Sequence, residues 1–134
     1  MAVALSPGEI REHVLEADRG LPPERQTRWK YRILSAEEYY RIQDGLVARE
    51  AGGRRKREDR EGSTLRVGTL ERDILLAGLA GVENFTDPEG AAVSWPSGRT
   101  DRIGFLSRML PAWRTELANA ITGALELDEA ERRN

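Results

Sequence analysis

His13 is the only histidine of the 134-residue chain, and cysteine is absent. A nucleophile–base relay or an imidazole metal site would need this side chain. Its neighbours Arg11, Glu12 and Glu16 read as a polar helix face, and no third group stands out to orient the ring. The carboxylates are plentiful but mixed with basic partners. Glu37 and Glu38, Asp87 with Glu89, and Asp128 with Glu129 and Glu131 sit at helix starts, at a turn and near the terminus, where negative charge is favoured for other reasons. Asp87-Pro88-Glu89-Gly90 has the outline of a calcium loop, yet lacks the alternating oxygen ligands and the closing glutamate of that motif. Gly78, Gly81 and Gly90 are not spaced to cradle a phosphate. The residues therefore predict no catalytic site, no metal and no cofactor, and the chain reads as a non-enzyme.

Two other groups could act through contact. Arg54, Arg55, Lys56 and Arg57 form the sharpest basic run, and each can neutralise one phosphate. Glu58, Asp59 and Glu61 follow at once and compete for the same side chains, and no aromatic residue is interleaved for base stacking. Nucleic acid is disfavoured as a partner, and a DNA-binding accessory using these four residues stands as the alternative reading. Trp29, Trp95 and Trp113 are all of the tryptophan. Core anchoring is the default for such rings. Trp95, at the end of an expected hairpin, divides evenly between core and exposed anchor, because tryptophan is enriched at binding hot spots.

Hydrophobic residues make up 39% of the chain and charged residues 33%, against about 45–50% and about 25% in ordinary globular domains. Part of the chain is therefore expected to be solvated or covered by a partner. A formal net charge of −2 gives no global field toward nucleic acid or an anionic membrane. The N-terminus lacks the basic start and apolar run of a signal peptide. No apolar stretch approaches the ~18 residues of a membrane span. The expected compartment is a cytoplasm.

The elements that would carry these groups follow from spacing. Ser6-Pro7-Gly8-Glu9 reads as a capped helix start, with Ile10, Val14 and Leu15 on one face and an end near Asp18. Trp29, Tyr31 and Ile33 alternate with Arg28, Lys30 and Arg32, which predicts a strand with one buried and one basic face. Ser35-Ala36-Glu37-Glu38 is a second capping box, opening a helix with Tyr39, Ile42, Leu46 and Val47. Residues 50–63 read as a mobile basic loop, or as a helix extension with no packed face. A central helix is expected from Leu65 to Leu79, capped by Gly81. Val82 to Phe85 and Ala91 to Trp95 flank a turn at Asp87-Pro88-Glu89-Gly90 and predict a small hairpin. Thr100 reads as the cap of a short helix through Met109, Pro111 as the start of another, and Asp128 as the start of a last polar turn. The sum is one helix-rich α+β domain over residues 1–134, mostly helical, with one short strand and a small β-hairpin.

Three blocks of the chain resemble a family of small tailed-bacteriophage proteins. They are Ile10 to Pro22 with Glu24-Arg25-Gln26-Thr27, Leu75 to Gly90, and Leu110 to Ile121 with the acidic end that runs to Asn134. Val82 departs from the pattern, which has an aromatic or polar residue there, and the arginine-rich loop is particular to this chain. The resemblance implies a virion component of head, neck or tail, or a transient chaperone of tail assembly, in the virion or the host cytoplasm. It implies no enzyme activity. The implied partners are other phage structural proteins, with self-association expected of a virion part. The residues expected to make such contacts are Phe85 and Trp95 of the hairpin, Arg28, Lys30 and Arg32 of the strand, and Arg54, Arg55, Lys56 and Arg57 of the loop.

Overall fold

A computed structural model describes residues 7–52 and 59–133, with no side-chain description at 46–52, 59–67, 124 and 126–133. The two-residue alternation forms the central strand, β2 (Arg28–Arg32), with Trp29 and Tyr31 buried and the three cations half-exposed between them. β1 (Ile10–His13) and β3 (Leu79–Glu83) pair with it antiparallel, one on each side. The register sets His13 opposite Trp29, Val82 opposite Trp29 from the other side, and Leu79 opposite Tyr31. Four helices complete the α+β fold: α1 (Ala36–Gly52), α2 (Asp59–Gly78), α3 (Arg99–Ser107) and α4 (Pro111–Arg133). α2 packs against α1, α3 and α4. One buried cluster joins them, with Trp29 and Tyr31 from β2, Ile74 and Leu75 from α2, Phe105 and Leu106 from α3, and Leu117 and Ile121 from α4. Among the described residues, no helix is long and apolar enough to cross a membrane.

The helix expected from Ser6 to Asp18 is not formed. Gly8 takes a φ of +89°, a left-handed backbone that stops a helix and suits glycine. Its N–H donates to Ile33 O, and Ile33 N–H donates to Glu9 O, both at 2.9 Å. The segment thus joins β2 as a third strand and ends in a single 3-10 turn at Glu16–Asp18. Leu15 is buried at 3% exposure while Ile10 is 52% exposed, so the three apolar residues never form one stripe. Pairing to an existing strand outweighs so short a helical pattern.

Other expectations shift in the same way. Gly81 caps no helix: α2 ends at Gly78 and the chain enters β3 directly, because Leu79 is drawn to Tyr31. Of the small hairpin, Val82 and Glu83 belong to β3, and a single bridge, Thr86 to Ala92, remains. Its turn forms as expected: Asp87 Oδ1 accepts the N–H groups of Glu89 and Ala91 at 2.9 Å each, and Gly90 supplies a φ of +88°. Thr100 lies inside α3, whose first flanking residue is Gly98. α4 begins at Pro111 as expected and continues past Asp128 without a break. The expected loop at 50–63 narrows, since 50–52 and 59–63 are helical. Arg54, Arg55, Lys56 and Arg57 lie outside the described residues.

The second capping box is formed. Glu38 N–H donates to Ser35 Oγ and Ser35 N–H donates to Glu38 Oε1, both at 3.1 Å. Arg32 grips the same carboxylate through both terminal nitrogens, at 3.2 and 2.6 Å, while its Nε donates to Ala77 O at 2.8 Å. One guanidinium thus ties β2 to the start of α1 and the end of α2. The Arg32 hydrogen bonds, helped by the Ser35 N–H and opposed by partial burial, hold the Glu38 carboxyl well below its ordinary range, at about 2.

Three predictions follow from this packing. A carboxyl lowered on folding stabilises the protein above its unfolded value of about 4.3 and loses that stabilisation as pH falls toward 2. With Arg32 and Glu38 each about one-third exposed, Glu38→Gln is expected to cost about 1–2 kcal/mol at pH 7 and to flatten the acid limb of stability between pH 5 and 2, read by urea titration across pH. Gly78 is where α2 crosses α4: a Cβ there would meet Ile121 Cδ1 at 2.8 Å and Cγ2 at 3.0 Å, and Ile121 is fully buried. Gly78→Ala is expected to destabilise by about 1–3 kcal/mol. Gly68→Ala in the same helix meets nothing within 4 Å among the described residues and is expected to stabilise by up to about 1 kcal/mol.

Candidate functional site

The chain leaves β3 at Glu83 and must turn at once to bring Phe85 onto the core. Asn84 makes that turn with a φ of +62°, and it is the one non-glycine residue at positive φ among the described residues. Asparagine tolerates this region better than most side chains. Its Nδ2 donates to Glu24 O at 3.0 Å and Gln26 O at 3.2 Å. Thr27 Oγ1 donates to Asn84 O at 2.9 Å. The loop before β2 is thereby pinned to the end of β3.

Phe85 then lands 5.1 Å from Trp29, 5.6 Å from Phe105 and 6.4 Å from Trp113, between ring centroids. Trp95 meets Phe105 edge-on at 5.2 Å and 89°, with the Arg102 guanidinium 5.0 Å from its own ring centre. The indole N–H groups of Trp29 and Trp95 are buried without an acceptor among the described residues. Both rings approach Phe105 nearly edge-on, the arrangement in which one ring's positive edge meets another's negative face.

This cluster floors two clefts that share Phe85 and Thr86. The first, of about 460 Å³, is walled by Pro88, Val93, Arg108 and Trp113. The second, of about 480 Å³, is walled by Leu21, Arg25, Asp18 and Asn84. Through these shared residues they form one trough, mainly apolar at the Trp113 end and mainly polar at the Arg25 end, with the half-buried Phe85 between. Leu21 at its edge is 40% exposed.

The expected contact residues fall in different places. Phe85 lies at the centre of the trough, half-buried. Trp95 is half-buried behind it, between Phe105 and Arg102, and so is neither a fully enclosed core residue nor a protruding anchor. Lys30 is held by Glu83 at 2.7 Å; that hydrogen bond raises the Lys30 ammonium above its ordinary range and lowers the Glu83 carboxyl below its own. Arg32 is committed to Glu38. Arg28 lies opposite Glu83 in register and adds to the lowering of that carboxyl, without a hydrogen bond to it among the described residues. With Glu12 opposite Lys30 in register, the outer sheet face carries mixed charge rather than a basic stripe.

His13 stands on a strand, not on a helix face. Its Nε2 lies 2.6 Å from Glu116 Oε2 of α4, and the same oxygen accepts Glu16 N–H at 2.9 Å. Spacing could not reveal this partner, 103 residues away. A histidine–carboxylate pair is half of a catalytic relay and needs a nucleophile. Here the carboxylate is occupied by backbone, so the pair clamps β1 and the following turn onto α4. Among the described residues, no three acidic, histidine or cysteine side chains gather to hold a metal.

A third cleft, of about 320 Å³, opens between α1, α2 and the start of α3, and Arg41 and Arg99 line it. Of the residues that matter at these sites, Arg25, Asn84, Arg108 and Glu116 were not singled out by sequence. Only Asn84 left a signal, an asparagine directly after an extended run.

Replacing Asn84 separates its two jobs. Asn84→Gly keeps the backbone turn but loses both hydrogen bonds, and is expected to cost about 1 kcal/mol. Asn84→Ala adds the cost of a positive φ and is expected to cost about 2–3 kcal/mol, by chemical denaturation.

Compared with protein-family models, with curated proteins and with solved structures, the chain matches none of them.

Proposed function

We propose that this chain is a non-enzymatic assembly protein of a tailed bacteriophage, working in the virion or in the host cytoplasm through contacts with other structural proteins. The observation that carries the reading is the convergence of the three phage-like blocks on one region. Glu116 of the third block holds His13 and Glu16 of the first. Asn84 of the second holds Glu24 and Gln26 of the first. Phe85 of the second meets Trp113 of the third. The second cleft is built from these blocks, and the first is completed by Val93, Phe105 and Arg108 from outside them; the partly exposed Phe85 that the two share suits protein contact better than small-molecule chemistry. A standard interface needs about 800 Å² from each partner, so the trough would be the centre of a larger contact rather than the whole of it.

The test is quantitative mass spectrometry of purified particles from the phage or induced prophage that encodes the chain. The expected result is a fixed copy number set by a ring or shell symmetry. Absence from particles, with abundance in the infected cell and co-purification with a tail protein, would make it a transient tail-assembly chaperone. A protein absent from particles and free of any phage partner in the cell would sink the proposal.

A further inference from the structure

We propose that the trough is a self-association surface. The ridge Leu21-Pro22-Pro23 of one copy docks in the cleft between Phe85 and Trp113 of a second copy, which returns its own ridge to the first. This rests on the reading that the chain works through protein contacts, and it names the occupant of the trough as the chain itself.

The ridge is apolar, exposed and already satisfied. Leu21, Pro22 and Pro23 are all exposed, yet each of their backbone polar groups has a partner within the loop. Leu21 N–H donates to Asp18 O at 2.9 Å, and Leu21 O accepts Gln26 Nε2 at 3.1 Å. Pro22 O accepts Arg25 N–H at 2.8 Å, and Pro23 O accepts Gln26 N–H at 3.3 Å. The prolines have no N–H to leave unpaired. Such a loop can enter an apolar cleft without stranding a donor or acceptor, which is what keeps ordinary loops in water. Pro22 has φ −59° and ψ 149°, the polyproline conformation that aromatic-lined grooves accept. The first cleft offers Phe85, Phe105 and Trp113. Leu21 lines the second cleft, which shares Phe85 and Thr86 with the first. Ridge and cleft are therefore neighbours on one face, as a two-fold contact between identical copies requires. Charge agrees with this occupant. The ridge is followed by Glu24 and Arg25, and the first cleft carries Arg108 and Asp87. The side chains of Glu24, Arg25 and Arg108 have no hydrogen-bond or ion-pair partner among the described residues. Each patch holds one sign of each, so neither an acidic nor a basic partner is favoured, while a second copy can set Glu24 against Arg108 and Arg25 against Asp87. The contact is made twice in a two-fold pair, which brings the buried area toward the standard about 800 Å² per partner.

The full chain is tested by sedimentation equilibrium from micromolar to millimolar concentration, and by NMR on a mixture of labelled and unlabelled copies. The expected result is a reversible dimer, with intermolecular contacts between the Leu21 methyls of one copy and the Trp113 ring of the other. Glu24→Arg and Arg108→Glu are each expected to weaken the dimer about tenfold, because each reversal acts twice. The double variant, which swaps the charges, is expected to recover most of the loss. Leu21→Asp is expected to weaken the dimer at least about tenfold, with the Tm of the dilute monomer unchanged. A monomer at every concentration would overturn the proposal. So would a dimer that tolerates all of these changes or lacks the Leu21–Trp113 contacts, because its copies would meet through another face. A monomer that is nonetheless counted in particles would sink this inference alone and leave the assembly role standing. A dimer with these contacts from a chain that has no phage partner would uphold this inference and sink that role.

Discussion

Trp29 fixes the arrangement of this molecule. It sits on the middle strand at 1% exposure, with a strand paired to it on each side. A ring of that size removes about 150–250 Å² from water, worth about 5 kcal/mol by area, and each well-placed ring neighbour adds about 0.5–1.5 kcal/mol. Against total stabilities of about 5–15 kcal/mol, that is a large share for one side chain. Its position decides where Phe85 and Phe105 can go, and through Phe85 it decides the path of the chain after β3.

The cluster has a consequence for the surface. Phe85 touches both the buried Trp29 and the trough, so the middle of the candidate contact region is backed by the rigid core. A partner that docks there pays little to order it, which is the condition for a useful anchor. The outer sheet face differs. Its cations meet Glu12, Glu38 and Glu83, and the β1 edge carries Glu9, Arg11 and Glu12. Charged edges of this kind resist unwanted strand addition.

Much of the fold was legible because some signals are local. The alternation around Trp29, the reciprocal Ser35–Glu38 box, the Asp87–Gly90 turn and Pro111 at the start of α4 each act within a few residues, and each is formed. The failures share one cause. Ile10 to His13 became a strand because β2 offered it a partner. Gly78 replaced Gly81 as the decisive glycine because Ile121 approaches it from another helix. Glu116 found His13 across most of the chain. The trough was half legible: Phe85 was singled out, while Arg108 and Arg25 look like any surface arginine until the fold sets them on the walls of the two clefts. The basic run from Arg54 to Arg57 was the loudest charge signal, and it falls outside the described residues.

The central claim is that the aromatic cluster welds β2, the segment after β3, and the first half of α4 into one cooperative unit beneath the trough. Native-state hydrogen exchange in low denaturant tests this most directly. The prediction is that the protected amides of Trp29, Val82, Val93 and Leu117 open together, with one shared free energy and one denaturant dependence. If the Phe85-to-Val93 segment instead opened alone, at low energy and without denaturant dependence, while β2 and α4 stayed closed, the trough would have no rigid floor and the account would fail.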